Sequence, residues 1–107
     1  MSKNENKRKV SVLFINKTPD GSNNICGGNI ARLRKQKKLS QNRLASLLQI
    51  RGLNVDKNAI QRIEAGKRFV TDIELIYLSE VLAVPLDDLL DREKSGLFLG
   101  KPFPESP

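Results

Sequence analysis

At 107 residues and 12.0 kDa the chain is one domain with room for a modest core of several helices, and it is too small for most clefts that hold both substrate and cofactor. It has no His and a single Cys26, so an internal disulfide and a multi-cysteine metal site are excluded, and few nucleophile and base pairs exist. This pattern fits a reducing cytosol and predicts a binding protein with no catalysis, cofactor or metal.

The net charge of +7 is unevenly spread. Residues 1–24 hold five basic and two acidic groups (+3), residues 25–70 eleven and two (+9), and residues 71–107 three and eight (−5). The middle of the chain is therefore where an acidic partner is expected. No run of about 18 apolar residues occurs, so no membrane-spanning helix is expected. Lys7, Arg8 and Lys9 precede VSVLFI, but Asn16 and Lys17 interrupt that run after six residues, too soon for an export signal.

In chain order, residues 1–24 read as a basic N-terminal arm and linker. Residues 10–15 are apolar and β-branched, and Pro19, Asp20, Gly21, Ser22, Asn23 and Asn24 are turn material. Asn24 can cap a first helix whose apolar stripe is Cys26, Ile30 and Leu33, with Arg32, Lys35 and Lys38 largely outside it. Cys26 there reads as a small buried hydrophobe rather than a redox group.

Ser40 is placed to cap a second helix with Leu44, Leu47 and Leu48 on one side and the small Ala45 beside them, and Gly52 can close it in a left-handed conformation. Asp56 caps a third helix, with Val55 and Ile60 spaced as a hydrophobic staple. Ile60 and Ile63 then face inward, Lys57, Asn58, Gln61 and Arg62 lie outward or at the edges, and Gly66 stops the helix before Lys67 and Arg68. Thr71 and Glu74 have capping-box spacing at the head of a fourth helix containing Ile73, Ile76, Tyr77, Leu78, Val81 and Leu82. Pro85 suits the start of a short fifth helix with Leu86, Leu89 and Leu90 on one side. Beyond Asp91, residues 92–107 read as a flexible tail whose Leu97, Phe98, Leu99 and Phe103 could dock on a protein partner.

The outward face of the third helix carries chemistry suited to a major groove. Arg and Lys donate to guanine O6 and N7, while Asn and Gln match the N7 and N6 edge of adenine. Lys57, Asn58, Gln61 and Arg62 are thus predicted to read bases. Their coincidence with the +9 segment separates them from an ordinary solvated face.

The segments IARLRKQKKLSQNRLASLL, AIQRIEAGKR and LSEVLAVPLDDLL together resemble the Cro and phage-repressor type of helix-turn-helix, the xenobiotic-response-element family, over about residues 25–91. The resemblance implies an all-α, five-helix, lambda-repressor-like domain between two flexible tails. It implies that Gln41 contacts a DNA phosphate and braces the third helix, that Lys57, Asn58 and Arg62 read bases with Gln61 as a neighbour, and that Arg34 and Glu64 tie the first helix to the third. Lys67 and Arg68, at the end of the third helix, are assigned to phosphates.

Two features depart from the family pattern. Ala45 and Ile60 lie fifteen positions apart, five more than in the compact form of the motif, and Arg51 in the longer turn reads as solvent-exposed. Lys38 stands where the family has Gly or Asn, which implies a less ideal helix end. The expected function is sequence-specific binding of a double-stranded operator by a cytoplasmic, nucleoid-associated homodimer, acting as a transcriptional regulator and more often a repressor. The alternative is a protein-interaction or antitoxin-like use of the same fold.

Overall fold

The computed structural model describes Lys17, Thr18 and residues 20–94. Five helices follow one another: α1 Cys26–Gln36, α2 Gln41–Ile50, α3 Lys57–Glu64, α4 Asp72–Leu82 and α5 Leu86–Leu89, with no strand among the described residues. The all-α, five-helix arrangement expected from the sequence is the one adopted. The basic arm, the run VSVLFI, Pro19 and the apolar tail beyond residue 94 lie outside the described residues.

Side-chain caps set the first four helix starts. Ser40 accepts a hydrogen bond from the Arg43 amide at 2.9 Å, and Asp56 accepts one from Ala59 at 2.8 Å. Thr71 and Glu74 form the complete reciprocal capping box. At α1 the Asn24 side chain accepts from the Gly27 amide at 2.8 Å. Such caps contribute about 1 kcal/mol each.

The first four helices end alike. In each, two amides beyond the last turn return to carbonyls five and three residues back: Leu39 to Arg34 and Lys38 to Lys35, Leu53 to Leu48 and Gly52 to Gln49, Lys67 to Arg62 and Gly66 to Ile63, Val84 to Ser79 and Ala83 to Glu80. The motif needs one residue at positive φ. Gly52 (+100°) and Gly66 (+75°) supply it freely, whereas Lys38 (+59°) and Ala83 (+56°) carry a Cβ into the left-handed region. The less ideal helix end expected at Lys38 is thus a strained residue completing a regular motif.

The core contains Cys26, Ile30 and Leu33 of α1, Leu44, Ala45 and Leu48 of α2, Val55, Ile60 and Ile63 around α3, Leu78 and Leu82 of α4, and Leu89 of α5, all buried. Val55 and Ile60 both belong to it, as a staple requires. Buried Asn29 donates to the carbonyls of Leu89 (3.0 Å) and Asp91 (2.8 Å), fastening the end of α5 to α1. The apolar side expected of α5 proves narrower than the sequence suggests: Leu89 is buried, while Leu86 and Leu90 are exposed. On α4, Leu78 and Leu82 turn inward, and Ile73 (64% exposed) and Ile76 (48%) face solvent.

Candidate nucleic-acid interface

The surface that α3 presents is built from its inner side outward. Ile60 and Ile63 anchor the helix in the core, so Lys57, Asn58, Gln61 and Arg62 are left exposed. Among the described residues none of these four side chains is held by a hydrogen bond or an ion pair. Arg62, Asn58, Ala59, Asp56 and Arg68 border a shallow depression of about 360 Å³. Three donor side chains therefore converge on one concave patch beside the half-buried methyl of Ala59. Donors next to a small apolar group match the polar edges and the thymine methyl displayed by a major groove.

A single buried carboxylate fixes the orientation of α3. Glu64 accepts from Arg34 through both oxygens, at 2.7 Å from Nε and 2.9 Å from Nη2, and the side chains are 10% and 8% exposed. Arg34 Nη1 also donates to the Leu39 carbonyl at 2.8 Å, across the turn into α2. Gln41, the first residue of α2, donates its amide to Glu64 at 2.9 Å. Three helices thus meet at one residue. Donating these hydrogen bonds to Glu64 raises the pKa of Arg34 and keeps the guanidinium charged. The pairing of Arg34 with Glu64 is as the family pattern implied, and Gln41 does brace the third helix.

The longer connection between α2 and α3 does not separate them. α2 continues to Ile50, Gly52 reverses the chain, and Gln49 clips the descending strand of the turn by donating to the Val55 carbonyl at 2.6 Å. Ala45 remains 2% exposed, and the two helices pack directly on one another. The helix ends at the exposed Ile50, and residues 51–56 make the connection to α3, with Arg51 exposed.

Two fasteners at the far end of α3 were not foreseen. A Cβ on Gly27 would stand 2.1 Å from the Ile63 carbonyl oxygen, so α1 crosses the last turn of α3 at a distance only glycine allows. Asn24 adds donations to the Ile63 (3.1 Å) and Arg68 (2.8 Å) carbonyls, and Asn23 donates to that of Lys67 (3.0 Å). The turn ahead of α1 therefore secures the C-terminal end of the candidate reading helix. Neither contact had a local signal, because the partners lie about forty residues on in the chain.

Lys67 is exposed and its ammonium has no described partner. Arg68 has a different environment. Its guanidinium grips Glu74 through Nη1 (3.0 Å) and Nη2 (2.9 Å) and donates to the Phe69 carbonyl. This pairing lowers the Glu74 pKa and raises that of Arg68, so both stay ionised. Arg68 is thus held against the head of α4 at the edge of the depression, a placement the sequence reading did not anticipate.

A family model described as helix-turn-helix matches residues 30–89, more than half of the chain and all of α2 and α3. No curated protein and no solved structure matches the chain.

Proposed function

The chain belongs to the helix-turn-helix family of the Cro and phage-repressor type, a family of DNA-binding regulators, and on that premise we propose that it binds a specific double-stranded operator through α3 and represses transcription by occupying it. The observation that carries this reading is the unengaged outward face of α3, with Lys57, Asn58, Gln61 and Arg62 displayed on a helix immobilised from behind by Glu64. The fixed helix backbone adds no ordering cost on meeting base edges, so the cost that remains is the rotamer freedom of these side chains. In this reading Gln41 and Lys67 contact phosphates on either side of the groove. Arg68 does so only through the part of its guanidinium that Glu74 leaves accessible.

The protein acts as a homodimer in the cytoplasm, on the nucleoid when bound. One module reads few base pairs, and two related half-sites about one helical turn apart supply the remaining affinity. Ile73 and Ile76, on the exposed side of α4, offer an apolar face for the second copy. No helix among the described residues is long and apolar enough to cross a membrane.

Base reading and phosphate contact separate experimentally. Arg62→Ala is expected to cost about 1–3 kcal/mol on the preferred duplex and to relax preference at one position. Lys67→Ala is expected to weaken all duplexes alike and reduce the salt dependence by about one unit. Equal losses on preferred and random duplex for Arg62→Ala contradict base reading. A protein-only, antitoxin-like role predicts no salt-sensitive duplex binding at all.

A further inference from the structure

On the side of the domain where Lys17 joins the described structure lies a cavity of about 360 Å³. Its apolar lining is Ile25, Cys26, Phe69, Val70, Leu75 and Leu90. Phe69 is 54% exposed and Leu90 41%, so two large side chains of this lining are left with a wet face. Lys17 lines the same cavity. We propose that this cavity is the docking site of residues 10–15 of the same chain, the run VSVLFI, which lies across it as an intramolecular strap.

Position, tether and composition select that occupant. Lys17 is itself part of the lining, so Ile15 leaves from the cavity wall and reaches at most about 7 Å from it, at roughly 3.3–3.6 Å per residue. The point of departure is hydrogen-bonded to the turn ahead of α1: Lys17 Nζ donates to Asn23 Oδ1 at 2.6 Å, the Thr18 amide to the Ser22 carbonyl at 2.8 Å, and the Ser22 amide to Thr18 Oγ1 at 2.9 Å. A short tether from that point makes the local concentration of the segment high and the loop to be closed small. VSVLFI is the one block of five apolar residues in six ahead of the domain, and it is bounded by Arg8 and Lys9 on one side and Lys17 on the other. Charges at both ends define where a strap enters and leaves an apolar groove. The C-terminal Leu97, Phe98 and Leu99 begin seven residues beyond Leu90 and are the more distant competitor.

The strap would have a consequence for the DNA face. Asn23 and Asn24, also in the cavity lining, hold the carbonyls of Ile63, Lys67 and Arg68 at the end of α3. Docked residues 10–15 would keep Arg8 and Lys9, directly ahead of them in the chain, within a few residues' reach of the cavity whose lining includes Asn23 and Asn24. The proposal concerns the cavity alone and stands whether or not α3 reads bases.

The test uses the full chain with a photo-crosslinking phenylalanine analogue replacing Phe14. Irradiation is expected to join position 14, within one chain, to the peptide containing Phe69 and Leu75 or to that containing Leu90. Attachment elsewhere, no attachment, a link between two chains, or labelling of the cavity from Phe98 instead would each overturn the assignment. As a second measurement, L13D/F14D is expected to raise binding of a hydrophobic dye several-fold while the helical circular dichroism signal stays unchanged. Unaltered dye binding would equally count against the strap.

Discussion

Replacing Gly27 with Ala isolates the contact that fixes where α3 lies. In an ordinary helix interior Gly→Ala is favourable by about 0.5–1 kcal/mol, because alanine loses less backbone freedom on folding. Here the added methyl would sit 2.1 Å from the Ile63 carbonyl oxygen, 2.9 Å from Asn24 Oδ1 and 3.1 Å from the Ile63 carbonyl carbon. Two of these neighbours are backbone atoms of α3, so no side-chain rotation relieves the clash, and α1 and α3 must move apart by roughly 1 Å. Overpacking of this kind costs about 1–3 kcal/mol, outweighing the helix-propensity gain. For a domain of this size each kcal/mol is about 4–8 °C of Tm. The variant is therefore expected to melt several degrees lower by circular dichroism, and to lose more in duplex affinity than in stability because α3 is displaced. Gly52→Ala is a useful contrast: nothing lies within 4 Å of its Cβ, and its cost arises from φ +100° alone. A Gly27→Ala variant that melts higher than the parent would refute the close crossing of α1 over α3.

Other substitutions test separate parts of the account. Glu64→Ala leaves Arg34 buried without its carboxylate and Gln41 without its acceptor, and is expected to destabilise by about 3–5 kcal/mol in urea unfolding; a loss below 1 kcal/mol would show that the three-helix junction is not coupled. Ala83→Gly relieves a left-handed residue at φ +56° and is expected to raise stability by about 0.5–1 kcal/mol, whereas a lower Tm would contradict strain at that helix end. Glu74→Gln removes the carboxylate that grips Arg68, at about 1 kcal/mol near neutral pH after allowance for screening at a partly exposed pair. Because pairing with Arg68 lowers the Glu74 pKa below its ordinary 4.5, that contribution is complete above this value and disappears as pH falls through the folded-state pKa. Parent and variant stabilities should therefore converge on acidification, and a gap that persists at the acid end would assign the loss to packing.

Legibility in the sequence followed the range of the interactions. Ser40, Asp56 and the Thr71 and Glu74 pair act on amides three residues away, so spacing alone located three helix starts. The inward Ile60 and Ile63 and the outward Lys57, Asn58, Gln61 and Arg62 follow from helical periodicity on a short helix with one apolar stripe. α4 is apolar around much of its circumference, so its pattern could not say that Leu78 and Leu82 would be buried while Ile73 and Ile76 stayed exposed. Gly27 looks like any helical glycine until Ile63 is laid across it, and buried Asn29 has no meaning before the carbonyls of α5 arrive. Arg68 carried a positive charge toward the DNA side in the sequence reading. Its capture by Glu74 was hidden because that carboxylate already had a local role in the capping box.

The central claim is that the exposed face of α3 selects a DNA sequence, and selection of bound duplexes from a random library tests it most directly. The full chain is expected to enrich two related half-sites with centres about one helical turn, roughly 10 base pairs, apart, and R62A to broaden the preference at one position of each. Recovery of no common sequence, or of a sequence that R62A recovers unchanged, would contradict the assignment of α3 as the reading helix.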